Sequence, residues 1–521
     1  MAPEIHDRQL LLLSRREFTA LAGAAALAGG APSAFAQAIK GGTANVAVVG
    51  EPPTLDPMDS PADVVGMIGQ HIFETLFTWG EGWRIEPLLA ASSPEISTDG
   101  LVYVIKLRQG VKFHDGSTMS SADVLASLNR WTTVAQRGKQ TSEYVEAITA
   151  PDASSIRIQL KRPFAPLLSF LSLQTSAAII LPAGNQAYPM TNYVGTGPFR
   201  FVERIPDRHI QLRRFDGYTP REEAPNGYGG RRVANLDEIR FMPVPDATTR
   251  LQGAIAGQYD YVDALPVETA PQLGGRAEAV VFKSFGWPFF FMNAKQGPLT
   301  KVEMRRAVFA ALNFDDMLAA AFGTKDFYAA DGAWYPQGFA MHSTAGADQY
   351  KQAGDSARAK KLAQEAGYKD EPIRILTSRQ FDFHFKMAQV ANEYLRAAGF
   401  KASLVVVDWA TLLTTRNDAS QYEIFITHGP ILPEPTLFSF MNSTAPGWWA
   451  TSKRDSVIGA FNAEADPTKR AQLWGSVQQA IYDEVPVIRI GNFNMLAARG
   501  KRLQGVTPAV WPYFWNTWIA S

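Results

Sequence analysis

The chain has 521 residues, 46% of them hydrophobic, with 50 lysines and arginines against 50 aspartates and glutamates and no cysteine. Formal neutrality gives no argument for nucleic acid or an anionic membrane as partner, and the missing thiols exclude disulfides, thiolate metal sites and a lipidated N-terminal cysteine. A chain of this length exceeds one ordinary core, so two or three domains are expected.

The N-terminus reads as a segment apart. Ser14, Arg15, Arg16, Glu17 and Phe18 precede an Ala/Gly/Leu stretch from Leu21 to Ala31, and Ala34-Phe35-Ala36 follows. A charged start, a short apolar run and a small-x-small site make a signal peptide over residues 1–36, cleaved between Ala36 and Gln37. The paired arginines and the glycine-softened apolar run look like a twin-arginine signal. No later segment approaches the roughly 20 continuous apolar residues of a membrane span, so no direct membrane anchor is expected.

Beyond the signal, strand and helix patterns alternate, which predicts α/β lobes. Asn45 to Val49 reads as a strand. From Asp63 the apolar residues Val64, Ile68, Ile72 and Leu76 recur every four positions, as on a helix face. Leu101 to Leu107 alternates as a strand, and a helix follows from Ser121 to Trp131, capped by Ser120 or Ser121. Strands are expected at Ile210 to Arg213 and Glu238 to Met242, and helices at Thr248 to Ala256 and from Val302. A helix from Arg358 to Ala366 closes at Gly367. Then come a strand at Ile373 to Leu376, a helix from Phe385 to Ala398, a strand at Leu404 to Val407, a short helix from Thr411 to Arg416 and a strand at Glu423 to Thr427. Thr468 to Asp483 is a long helix with Pro467 in its first turn. From Pro372 onward this order builds a parallel sheet, whose ligands bind beyond the carboxyl ends of the strands. Thr377 to Phe381, Asp408 to Trp409 and His428 to Glu434 therefore fall on one expected functional edge.

Several distinct blocks follow one another along the chain: Leu55-Asp56-Pro57, Ile72 to Leu76, Val104 to Gly116 with Ser121 to Val124, Val194 to Phe199 with Leu212 and Tyr218, Met292-Asn293 with Arg305 to Ala307, and Ala359 to Tyr368. Together they resemble the family of extracellular binding proteins for dipeptides, oligopeptides and nickel, over residues 45 to 490. The resemblance implies a two-lobed periplasmic binding fold with a ligand cleft between the lobes and an extra subdomain inserted in the first. It places the first lobe at 38–84, 196–287 and 489–521, the inserted subdomain at 85–195 and the second lobe at 288–488. A monomer would close on a small solute by hinge motion and hand it to ABC permease subunits in the inner membrane.

The resemblance also implies site residues. An arginine after a second-lobe strand clasps the peptide carboxylate in dipeptide binders, and Arg379 falls at that place. The aspartate that neutralises the peptide ammonium sits three residues before a Glu-Pro pair. Alignment on Glu434 and Pro435 puts Ile431 there, and His428 where a tryptophan is expected. An isoleucine cannot offset the cost of burying an ammonium, so a peptide-like, carboxylate-bearing or aromatic solute is expected in place of an ordinary free peptide. Glu434 stands as a replacement charge or as a helix-start residue. Trp287, Phe289, Phe381, Asp408, Trp409 and Trp79 are further candidates for the cleft, the aromatics for stacking, although each would be equally at home in a core.

Other classes are weaker. No iron–sulfur or molybdenum ligand is possible without cysteine, and His-Glu-x-x-His, Gly-x-Ser-x-Gly and Ser-x-x-Lys are all missing, so neither an exported enzyme nor a cofactor is expected. His384 and His428 have no metal-ligand spacing. A sensor that signals to a membrane receptor would use the same ligand-driven closure and stays open as an alternative.

Overall fold

The computed structural model describes residues 39–520, so the expected signal and its cleavage site lie outside the described residues. Among the described residues no helix is long and apolar enough to cross a membrane.

A mixed sheet of twelve strands organises the chain. Its main path is made of β1 (Thr43–Val48), β2 (Phe199–Ile205), β3 (His209–Arg214), β4 (Glu238–Pro243), β5 (Tyr261–Leu265), β6 (Ala277–Met292), β7 (Pro372–Thr377), β8 (Lys401–Val406), β9 (Ile424–Pro430) and β10 (Asn492–Gly500). Across the sheet these run in the order β8-β7-β9-β6-β10-β5-β1-β4-β3-β2, with Tyr328–Ala329 on β10 and Val487–Arg489 on β6. β1 to β5 lie at one end of this order and β7 to β9 at the other, with β6 and β10 between them.

β6 makes the crossing because its two ends pair differently. From Ala277 to Phe282 it lies against β10, and from Gly286 to Met292 it lies against β9. The register shifts between Phe282 and Gly286, where Ser284 takes a left-handed φ of 48° and donates its N–H to Asn494 Oδ1 at 2.8 Å. Gly286 is needed there: a Cβ would stand 2.0 Å from the Gly429 carbonyl of β9. A break of this kind lets one strand serve two halves that are twisted apart.

β7 pairs in parallel with both β8 and β9, as the strand-helix-strand order predicts. The helices α3 (Asp382–Ala397) and α4 (Trp409–Thr415) make the connections. A separate antiparallel sheet of four strands lies within residues 95–160, in the order Glu95–Ile96, Val102–Lys106, Ser155–Leu160, Val145–Asp152.

Several of these sequence blocks act as structural clamps. His114 donates from Nε2 to the Gly197 carbonyl at 2.9 Å and accepts at Nδ1 from the Gly195 N–H at 3.2 Å, which joins two of those blocks. Gly195 and Gly197 must be glycines because a Cβ would meet the carbonyls of Ile72 at 2.2 Å and His71 at 2.4 Å. Glu74 is buried and accepts from Tyr218 at 2.8 Å and Arg232 at 3.4 Å. Asp56, 1% exposed, is bridged to Arg130 at 2.5 Å. Both ion pairs are out of solvent, where breaking one partner is far more costly than at a surface.

Candidate functional site

The carboxyl ends of β7, β8 and β9 meet residues from the β1–β5 part of the chain around three cavities. The first, of about 420 Å³, is lined by Glu51, Asp63, Asp207 and Asp263 from before β6 and by Gln380, Phe381, Asp408 and Trp409 from after it. The second, of about 120 Å³, shares Asp63 and Trp409 with it and adds Arg137, Phe289, Arg416 and His428. A third, of about 590 Å³, is walled by Trp83, Phe285, Ile431 and Tyr513.

Local structure explains how each side chain is presented. Asp63 opens the helix α1 (Asp63–Ile72), and its Oδ1 accepts from the Trp511 indole at 2.8 Å. Asp408 is the N-cap of α4 and accepts from the Thr411 N–H at 2.9 Å. The Thr411 hydroxyl and that N–H hold its carboxyl below the usual range. Trp409 is the first residue of α4, and its N–H donates to Gln380 Oε1, tying the exit of β7 to the start of the helix. The Phe381 ring stands edge-on to Trp409 at 5.0 Å and to His428 at 4.7 Å.

His428 and His384 form a nitrogen–nitrogen hydrogen bond of 3.0 Å, and His384 Nδ1 is buried without a partner. Burial pulls His428 down to about 3 and His384 well below the ordinary range, the latter also through its neighbour. A neutral pair shares one proton between the two nitrogens, so each ring is uncharged in the folded protein. Among the described residues no group of three potential metal ligands is present.

The charges on the two sides differ in sign. Burial raises Asp63, and it raises Asp263 to about 6 against the pull of Arg250. In the smaller cavity burial pulls both Arg137 and Arg416 down to about 10, so both stay cationic at neutral pH. Arg137, in the helix α2 (Gln136–Ser142), donates to the Thr175 carbonyl at 2.9 Å and the Leu437 carbonyl at 3.1 Å. It thereby spans from residues 136–175 to the loop after β9.

The structure thus brings Phe289, Phe381, Asp408, Trp409 and His428 to the two joined cavities, and Ile431 to the third. It does not bring the other four candidates there. Arg379 is exposed, with its guanidinium 4.5 Å over the Phe385 ring. Glu434 is buried in an ion pair with Arg470 at 3.0 Å and caps the short turn at Pro435–Leu437. Trp287 is wholly buried, donates to Asn492 at 2.6 Å and packs on Trp334, Tyr335 and Phe438. Trp79 is 2% exposed, in the strand Phe77–Trp79, with Trp83 against it at 5.8 Å. Sequence reasoning overlooked Asp63, Asp263, Arg137, Arg416 and Gln380. Gln380 alone carried a signal, as the neighbour of Arg379 at a strand exit where successive side chains point to opposite sides.

Comparison with known proteins agrees with this geometry. Residues 84–449 match the family described as bacterial extracellular solute-binding proteins, family 5 Middle. The probable peptide ABC transporter periplasmic-binding protein y4tO of Sinorhizobium fredii is 27% identical over 486 residues, covering 88% of this chain and 90% of that one. The glutathione-binding protein GsiB of Escherichia coli strain K12 is 26% identical over 481 residues, covering 87% and 89%. The binding protein AgaA in complex with agropinic acid, from A. tumefaciens R10, superposes with a TM-score of 0.79 at 23% identity, over 92% of this chain and 99% of that one. A two-lobed α/β fold, cavities lined from both lobes and a family match over most of the chain lead to one assignment: this chain belongs to the bacterial extracellular solute-binding proteins of family 5.

Proposed function

We propose that the chain is the periplasmic solute-binding component of an ABC importer, and that its solute occupies the joined cavities between Asp263 and Arg416. The observation that carries the reading is that both cavities are walled by both lobes and meet at Asp63 and Trp409. A solute there touches both halves and favours the closed state by its differential affinity. We take the lobes as residues 38–84 with 196–287 and 489–521, and 288–488, with 85–195 inserted, and the exported chain as a monomer starting at Gln37.

The solute is a carboxylate-bearing or aromatic molecule. Ile431 lines the third cavity, so an ammonium held in the joined cavities would lie against Asp63 and Asp263. A thermal-shift screen with glutathione, agropinic acid and a dipeptide tests the reading. A ligand at 100 times its dissociation constant adds about 2.7 kcal/mol to stability and should raise the melting temperature. Small-angle scattering should show the same solute contracting the particle. A solute that is turned over, or that stabilises without contraction, would remove the importer reading in favour of an exported enzyme or a rigid scaffold.

A further inference from the structure

We propose that Arg416, at the end of α4, is the seat of the solute's carboxylate, so that the acid end enters the smaller cavity and the body extends past Trp409 into the larger one. The inference rests on the binding reading above and names the chemistry of that site. Arg137, Arg250 and Arg416 line cavities near the ends of these strands, and the first two are already engaged. Arg250 donates to the carbonyls of Val244 at 2.7 Å, Pro245 at 2.9 Å and Ala264 at 2.7 Å, and Arg137 to those of Thr175 and Leu437. Arg416 differs in that no hydrogen bond from its guanidinium is found among the described residues. Its Nε is buried without a partner, as are those of Arg137 and Arg250, and the group that acts on its charge is the Tyr422 phenol, whose hydroxyl donates to the carbonyl of Arg416 itself at 2.7 Å. Among the described residues no carboxylate bridges it.

Arg416 is half-buried with its Nε shut off from solvent, and a guanidinium so placed with no anion beside it gains from one being supplied. The planar fork fits two carboxylate oxygens, and the lining rings of Phe289 and Trp409 give the rest of the acid an apolar wall. Arg379, the arginine that the family resemblance points to, is solvated over Phe385 and has no such vacancy to fill. The cavity volumes set the direction of binding. About 120 Å³ holds an acid group and a few carbons, whereas about 420 Å³ holds a larger body whose cationic or hydroxylated parts would face Asp63 and Asp263.

The test is calorimetric titration of the full exported chain with glutathione, agropinic acid and a dipeptide, each as free acid and with its carboxyl groups esterified. The free acid should bind the wild type at least about 30-fold more tightly than the ester, a factor suited to charge-assisted hydrogen bonds. Arg416→Gln should lose that preference, Arg416→Lys should keep part of it, and Arg379→Gln should leave it within about 3-fold. Acid and ester binding the wild type equally would overturn the anchor while leaving the protein a binding protein, even if Arg416→Gln failed to fold. The loss falling on Arg379→Gln would overturn it in favour of the family's arginine. No binding by any of the three acids would overturn it too, and the scattering measurement on the same samples would then decide whether the binding reading falls with it.

Discussion

Between pH 7 and pH 5 the folded protein should lose on the order of 5 kcal/mol of stability, a loss set by histidines that are buried neutral. His71 donates from Nδ1 to the Met67 carbonyl at 2.9 Å and accepts at Nε2 from the Phe514 N–H at 3.0 Å. A second proton would point one N–H at another, and burial pulls the ring down to about 3. His114 has the same arrangement between the carbonyl of Gly197 and the N–H of Gly195 and is pulled down to about 4, mainly by burial. His428 lies at about 3 for the same cause. In the unfolded chain all three take up protons below about pH 6.5, so the unfolded state binds more of them and stability falls with pH. At pH 5 each contributes a loss of about 2 kcal/mol, and His384 acts in the same direction. Asp263 opposes them. Its folded value of about 6 exceeds the unfolded one, so it gains about 1.4 kcal/mol as the pH falls to 5, and Asp63 shifts the same way. Urea unfolding at pH 7, 6 and 5 reads the balance. A midpoint unmoved over that range would mean that the histidines accept protons in the native state, against the tautomers their hydrogen bonds impose.

Why the elements were legible in the sequence and much of the site was not comes down to what each depends on. Periodicity reports burial, and burial fixes the parallel unit from Pro372 to Pro430 and the helix face of Val64, Ile68 and Ile72. The same reasoning placed Asp408, Trp409 and His428 at one sheet edge, because in a parallel sheet the carboxyl ends of strands coincide. What it could not provide was pairing. Glu434 and Arg470 are 36 residues apart in the chain, and nothing local tells that they neutralise each other, so Glu434 stayed a candidate for the cleft. Arg416 reads as the last residue of a short helix, with nothing local to mark it as a site residue; only the fold shows that its Nε is shut in. At the exit of β7 the candidate fell one residue away from Gln380, the side chain that faces the cavity. Trp287 and Trp79 carry the composition of a stacking platform, yet both are consumed by packing, which is the commoner fate of a tryptophan beside a buried strand.

Asp56→Asn should cost about 3–5 kcal/mol. Arg130 donates to Asp56 Oδ2 at 2.5 Å, to the Gln186 carbonyl at 3.2 Å and to the Ala187 carbonyl at 3.1 Å, and its side chain is 4% exposed. Removing the carboxylate's charge leaves a guanidinium that water cannot reach and that two carbonyls only partly satisfy. The same carboxylate accepts from the Met58 N–H at 3.0 Å, so the turn that leads into α1, and hence the placing of Asp63 in the cleft, depends on it as well. The loss should therefore appear both in urea unfolding and as weaker solute binding. The double variant Asp56→Leu, Arg130→Met separates the two causes. It removes both charges from an apolar setting and should recover much of the stability, since a buried pair replaced as a pair is often close to neutral. It should not recover the binding, because a leucine at position 56 offers the Met58 N–H no acceptor. A cost below about 1 kcal/mol for Asp56→Asn would mean that water reaches the pair as it does at a surface, where ion pairs contribute that little. The Leu55-Asp56-Pro57 block would then have to be explained by something other than the clamp it forms between the first lobe and the helix Ser121–Val134.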